Sequence, residues 1–362
     1  MKKIIKIILL LTLTFSIFLG EVFAEEKIKI GLLVPLTGKN SEIGQSIIKS
    51  TRLAINQIDN LSIEIIPKDT ASSPEVTLKS AKELEKLGIR IVIGPVFNEN
   101  LIYLNELSNL TFLSLTNKND NRSSNIINAG INATSQLNAI KKFIELNEIK
   151  KTIFLTSDSN YKNEIIQAIS NSRIKIIENY IYDRDPTKLT KQIEKITNYE
   201  RRKQNLEDEI KRLEESNENN IEKLIERLKK KDTLGNVNFD SLIIADFDES
   251  LKSVTTSLLY TDILPKEKYF ITLNQWFDES LLKETNLQPI YFPSINKENY
   301  DNFSLEYFNK YNQYPNQLSF LSYDLIGLIY FLILQNESII NEKIFEKKIL
   351  FKGKVGIFEI KN

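Results

Sequence analysis

The chain has 362 residues, with 48 Lys and Arg against 48 Asp and Glu, and it contains neither His nor Cys. A formal charge of zero offers no electrostatic footprint for nucleic acid. The missing side chains rule out disulfides, thiol and Ser-His nucleophiles, cysteine-zinc sites and the commonest transition-metal ligand. Catalysis by paired carboxylates stays open chemically, but no acidic pair has a distinctive setting. The expectation is a non-enzyme with no cofactor and no metal.

At the N-terminus Lys2, Lys3 and Lys6 precede an apolar run from Ile7 to Leu19, and Val22-Phe23-Ala24 places small residues at the cleavage-determining positions. This is the pattern of a secretory signal peptide over residues 1–24, with an apolar core too short to span a bilayer comfortably. An uncleaved anchor is the alternative reading. Without a Cys at the boundary there is no lipoprotein anchor, so the expected mature chain is periplasmic and carries no stable membrane span. Removing those 24 residues takes away three Lys and one Glu, leaving 338 residues and a formal charge of −2. That is enough chain for two lobes with separate cores.

Short β-rich runs then alternate with helical patterns, which predicts parallel sheets joined by crossover helices. The run Lys27–Val34 reads as a strand, about Gly44–Ile58 as a helix and Ser62–Lys68 as a strand. Glu75–Leu87 reads as a helix with Val76, Leu78, Ala81, Leu84 and Leu87 as its buried stripe. Ile89–Ile93 and Thr111–Leu115 are further strands, and together these elements make one doubly wound lobe. After a helix near Ser135–Leu146 the alternation restarts. Strands are predicted at Thr152–Leu155, Ile174–Tyr182, Ser241–Ala245, Tyr269–Leu273, Pro289–Phe292 and Lys354–Ile360. Helices are predicted at Tyr161–Ser170, from near Pro186, and at Glu249–Tyr260, Tyr300–Tyr311 and Leu318–Leu334. The last is apolar enough to be buried, and Ser322, Asp324 and Gly327 interrupt it as a membrane span.

Residues 193–231 differ from the rest, being dense in charge and nearly free of Gly and Pro. Ile193, Ile196, Leu206, Ile210 and Leu213 recur at helical spacing, as do Ile221, Leu224, Ile225 and Leu228, with a turn-like Ser216–Asn220 between them. The pattern fits an antiparallel helical hairpin with a narrow apolar seam projecting from the second lobe. It fits equally a solvated helix without a partner.

The predicted fold is α/β, with two doubly wound parallel-sheet lobes joined by a multi-strand hinge and carrying this charged insertion. The expected boundaries are residues 25–134 plus about 265–312 for the first lobe and 135–264 plus about 313–362 for the second. The hairpin lies within the second.

KIGLLVPLTGKNSEIGQSIIKSTRLAINQI, IEIIPKDTASSPEVTLKSAKEL and IRIVIGPV together resemble the opening of type 1 periplasmic binding proteins, of which the leucine/isoleucine/valine-binding proteins are the best known. The order of elements agrees through Ser322-Tyr323-Asp324 to the closing residues 353–358. A narrower set of residues is similar to bacterial penicillin-binding protein activators: Tyr199-Glu200-Arg201 with Leu206, residues 238–244 (NFDSLII), and residues 274–278 (NQWFD). In that group the fold is thought to regulate peptidoglycan synthases. Well-studied activators are lipoproteins, which this chain cannot be, and relatives run on beyond Phe358 into a further strand.

Two-lobed binders of this kind take ligands beyond the carboxyl ends of their strands. Ser41, at a helix start that favours an anionic group, either adds a hydroxyl to a ligand or caps the helix. By resemblance Asn98, Thr116 and Asn117 form the first-lobe wall, or else serve as turn residues satisfied locally. Tyr161, in Ser157–Tyr161, resembles the Tyr that closes over the ligand, and Asp246 with Phe247 ends a strand facing the same cleft. Where amino-acid binders carry an acid for the ligand ammonium, this chain has Asn274-Gln275-Trp276, with Asp278 slightly beyond. Trp276, Leu206 and Ile210 are then candidates for a partner surface. The expected role is a regulator of cell-envelope assembly that partners a peptidoglycan synthase. The alternative is the solute-binding component of an ABC importer, taking amino acids or similar polar solutes to a permease.

Overall fold

The computed structural model describes residues 27–58, 63–118, 123–216, 221–274, 283–336, 342–345, 349–354 and 356–360. Two five-stranded sheets, every pairing in them parallel, organise it. The first contains β1 (Ile28–Val34), β2 (Ile63–Asp69), β3 (Ile91–Ile93), β4 (Thr111–Ser114) and β5 (Ile126–Asn128), in the order β2-β1-β3-β4-β5. The second contains β6 (Thr152–Ser157), β7 (Glu178–Tyr182), β8 (Ser241–Ala245), β9 (Tyr269–Thr272) and β10 (Ile290–Tyr291), in the order β10-β9-β8-β6-β7. The predicted strands are all present, and β5 joins them although its three residues carry too little pattern to stand out in the sequence.

Each sheet is apolar on both faces because its strands are covered on both sides by helices. In β1, Ile30, Leu32 and Val34 point to one cluster while Leu33 points to the other. In β8, Leu242 and Ile244 divide in the same way from Ile243 and Ala245. This period of two is the geometry of a pleated strand. In the first lobe α1 (Ser41–Ile55) covers one face and α2 (Pro74–Lys86) the other. On α2 the buried side is Thr77, Ser80, Ala81 and Leu84, with Leu78 half-buried. Val76 and Leu87, assigned to the stripe from the sequence, are exposed. The helix is rotated so that its small polar residues fit against the sheet.

In the second lobe α3 (Ala133–Leu146) and α4 (Lys162–Ser172) lie on one face, with α5 (Pro186–Ile196) and α8 (Asp248–Tyr260) on the other. Pro186 opens α5 as expected, and the Asp185 carboxylate caps it, accepting from the amides of Thr187 and Lys188 at 3.1 Å each.

The expected lobe boundaries are corrected in their second halves. Residues 265–292 belong to the second lobe, because β9 pairs with β8 (Leu242 opposite Phe270) and β10 pairs with β9. The helices α9 (Lys297–Tyr311) and α10 (Ser319–Gln335) belong to the first lobe, where Phe303, Tyr307, Phe320, Ile326 and Ile329 share a cluster with Ile30 and Ile47. Ser46 fixes that docking, accepting from the Asn316 amide at 2.7 Å, and the Ser50 hydroxyl donates to the Ser319 carbonyl at 2.7 Å. The closing hairpin, β11 (Ile349–Lys352) with β12 (Ile357–Ile360), also packs here through Phe351 and Phe358. Buried Asp324 on α10 holds its turn, accepting from the Lys354 and Gly356 amides at 2.9 and 2.7 Å. A Cβ on Gly353 would lie 2.5 Å from that carboxylate, so the close approach requires glycine. Among the described residues the chain passes between lobes at 129–132 and again at 292–296.

The insertion consists of α6 (Tyr199–Glu214) and the short α7 (Ile221–Leu228), which pack on each other. Lys229 lies 3.9 Å from Glu214, and the Leu234 amide donates to the Arg202 carbonyl at 2.9 Å. The return along α6 is therefore made largely by the residues after α7, not by a second long helix as a simple antiparallel hairpin would have it. Leu206 and Leu213 are buried, Ile210 is half-buried, and no residue of α7 is buried. The base is held by Arg202, buried despite its charge. Its guanidinium donates to the carbonyls of Gly235 (3.2 Å), Thr261 (2.9 Å) and Asp262 (3.3 Å) and to the Thr233 hydroxyl (2.6 Å).

Candidate functional site

Both sheets present their strand carboxyl ends as loop clusters, and the predicted site residues fall in them. In the first lobe, Asp69 at the end of β2 ties down the β1–α1 loop. It accepts from the Leu36 amide (2.7 Å), the Thr37 hydroxyl (2.6 Å) and the Ala71 amide (2.8 Å). Partial burial alone would raise its pKa, but these hydrogen bonds together outweigh burial and hold it below the ordinary carboxylate value. Ser41 is the first residue of α1 and does not cap it. Asn40 takes the cap position without bonding the first-turn amides, its own amide donating to Ser72 Oγ at 3.1 Å.

Asn98 opens a 3-10 turn over Asn98–Leu101 and is half-buried. Thr116 is buried beyond β4 and its side chain is used locally, accepting from the Lys118 amide at 3.2 Å. Asn117 beside it is exposed. The Leu115 amide donates to the Pro95 carbonyl at 3.0 Å, so the loops carrying Asn98 and Thr116 are neighbours. A Cβ on Gly130 would fall 1.9 Å from the Thr116 carbonyl oxygen, so the passage between lobes lies tight against this loop. Buried Asn100 was not singled out from the sequence. Both its side-chain polar atoms lack a hydrogen-bond partner among the described residues.

The second lobe is built differently. Tyr161 and Asp246 are brought together as expected, with the phenol donating to Oδ1 at 2.5 Å. Two residues that sequence reasoning missed complete the cluster. The Tyr182 hydroxyl, at the end of β7, donates to Oδ2 at 2.6 Å, and Arg184 Nη2 donates to Tyr161 Oη at 2.9 Å and to Asp246 Oδ1 at 3.4 Å. The Phe247 amide adds a fourth donor at 3.0 Å. A buried carboxylate without such partners would cost several kcal/mol, so this set is obligatory. Asp246 is 1% exposed and Arg184 47%. Burial, then the adjacent Asp246 charge, push the Tyr161 and Tyr182 phenols above their ordinary pKa. For Arg184, partial burial is the largest single influence and works downward, but the Asp246 charge and the two phenols together outweigh it and raise the guanidinium. The Tyr161 ring meets Phe247 edge-on at 6.2 Å, and Arg184 lies over Tyr161 at 5.6 Å.

Asp246 is therefore sealed beneath a cation and two phenols and presents no free carboxylate to a ligand ammonium. The partner-surface residues fare unevenly. Leu206 is buried by the chain itself, Ile210 is half-buried, and Trp276 lies outside the described residues. Among the described residues no group of three or more acidic side chains is placed to hold a metal ion, and no helix is long and apolar enough to cross a membrane.

Residues 27–196 match the model of a periplasmic binding protein family. A branched-chain amino acid ABC transporter periplasmic ligand-binding protein from Burkholderia xenovorans aligns over 91% of this chain and 84% of its own, at 13% identity and TM-score 0.60. The C-domain of LpoA from Haemophilus influenzae, a regulator of PBP1A, aligns over 91% of both chains at 14% identity and TM-score 0.58. An ABC transporter solute-binding protein from R. palustris, in complex with 4-hydroxybenzoate, aligns over 92% of this chain and 89% of its own at 13% identity and TM-score 0.52. No curated protein sequence matches. The chain has the type 1 periplasmic binding fold, which hosts both transport proteins and a synthase regulator.

Proposed function

We propose that this protein is a non-enzymatic, periplasmic regulator of peptidoglycan synthesis, resembling the penicillin-binding protein activators. The observation that carries this reading is the insertion α6–α7. A solute carrier closing two lobes on a ligand needs no charged helical projection. Here one is fastened to the second lobe through four acceptors on a buried guanidinium. The helix it presents, α7, keeps Leu224 exposed among charged residues, an arrangement suited to contact with another protein. The shared fold of the LpoA C-domain is consistent with this role.

The test is retention of bifunctional peptidoglycan synthases from envelope membranes on immobilised protein, residues 25–362, compared with a form lacking residues 205–231. The full chain is expected to hold a synthase and raise its glycan polymerisation several-fold, and the shortened form to lose both effects. Retention of an ABC permease in place of any synthase overturns the proposal. That second reading, a solute-binding importer component, is favoured by Arg184, Tyr161 and Phe247 standing where parallel sheets take ligands.

A further inference from the structure

The cluster on the second lobe carries information about ligand charge that is independent of which partner the protein serves. Every member sits just past the carboxyl end of a strand: Tyr161 after β6, Arg184 after β7, and Asp246 and Phe247 after β8. Asp246 is spent inward, whereas Arg184 uses only Nη2 on that cluster, and its Nε and Nη1 have no hydrogen-bond partner among the described residues. A guanidinium anchored through Nη2 by a buried carboxylate is held in place while its Nε and Nη1 donors and its charge are left for a second, incoming anion, which suits a carboxylate.

The acids around it do not compete for that edge. Asp158 pairs with Lys162 at 2.6 Å, Asp183 pairs with Lys188 at 3.0 Å, and Asp185 is used on the first turn of α5. A ligand ammonium would meet the cation first and find no open acceptor on Asp246. Beside the guanidinium, Phe247 keeps 37% of its surface exposed and Tyr161 is half-buried, giving an aromatic wall against which a flat or apolar body can lie.

We infer that Arg184, backed by Asp246 and flanked by Tyr161 and Phe247, receives the carboxylate of a small organic acid with an apolar or aromatic body. Among the described residues this cluster offers an ammonium no open acceptor, so it favours an acid that carries no amine. The inference goes beyond the regulatory role, and the synthase experiment neither supports nor damages it.

Calorimetric titration at low ionic strength with matched trios tests it: benzoate, benzamide and benzylamine, then isovalerate, isovaleramide and isopentylamine. The carboxylate of at least one trio is expected to bind at least tenfold more tightly than its amide, with no binding of its amine. Arg184→Gln is expected to lower that affinity at least tenfold, and Arg184→Lys to lose part of it, because one ammonium keeps the charge but cannot both hold Asp246 and reach the ligand as the planar guanidinium does. Since Arg184→Gln also strips Asp246 of its cation, Phe247→Ala serves as the second variant. It leaves the ion pair untouched and is expected to weaken binding several-fold. Three outcomes overturn the inference: amide or amine binding as well as the carboxylate, no member of either trio binding, or Arg184→Gln keeping full affinity while folded.

Discussion

The second lobe contains two Arg–Asp pairs whose burial is inverted. At the strand ends the carboxylate of Asp246 is 1% exposed and Arg184 reaches out at 47%. At the base of the insertion the guanidinium of Arg202 is 8% exposed and Asp262 lies outward at 26%. The chemistry is the same and the consequence opposite. A buried guanidinium spends its donors on three backbone carbonyls and a hydroxyl and becomes a staple. A buried carboxylate is satisfied by two phenols, a backbone amide and Nη2 of its cation, whose Nε and Nη1 donors are left over for a ligand. Which partner is buried decides whether such a pair holds structure or presents charge.

That contrast can be broken experimentally, and the largest effect belongs to the staple. Arg202→Ala leaves three carbonyls and the Thr233 hydroxyl without their donor, and is expected to cost about 3–5 kcal/mol. The measurement is the urea midpoint, and Arg202→Lys should recover little because one ammonium cannot serve a fork of acceptors. Asp246→Asn is next, with an expected loss of about 2–3 kcal/mol, since it removes the countercharge to Arg184 while keeping one acceptor for the phenols. If Asp246→Asn proved the costlier change, the assignment of staple and presenter would be the wrong way round.

Tyr182→Phe sharpens the comparison through pH, with a loss of about 1–2 kcal/mol near neutrality. The Tyr161 and Tyr182 phenols are raised in the folded protein, first by burial and then by Asp246. Their contribution is fully present below the unfolded tyrosine value of about 10, and is lost as pH rises past it, because the unfolded chain sheds these protons first. Wild-type stability should therefore fall as pH rises above about 10, and Tyr182→Phe should flatten that fall. The smallest effect is expected for Leu224→Ala on exposed α7, within about 0.5 kcal/mol. A larger loss would mean that α7 is part of the lobe's core and not a projection.

The same locality explains which parts of the site were legible. Tyr161 and Asp246 lie directly after apolar strands, so each could be placed at a loop cluster from its neighbours in the sequence. Ser41, open from the sequence between a ligand hydroxyl and a cap, proves to be the first helical residue, and Asn40 takes the cap position. Tyr182 and Arg184 carried no signal, because what recruits them is a carboxylate 64 and 62 positions away.

By itself the sequence determined the alternation of strands and helices, the two-sided apolar strands that demand helices on both faces, the buried character of α10 and the presence of a charged insertion. These are local or periodic properties, written in residues a few positions apart. Tertiary structure alone decided that β9 and β10 extend the second sheet and that α9 and α10 return to the first lobe. It alone decided that α7 folds on α6 without running back along it, and which ion of each Arg–Asp pair is buried. Those outcomes depend on pairing and packing between distant segments, and periodicity cannot say which distant surface an apolar face will meet.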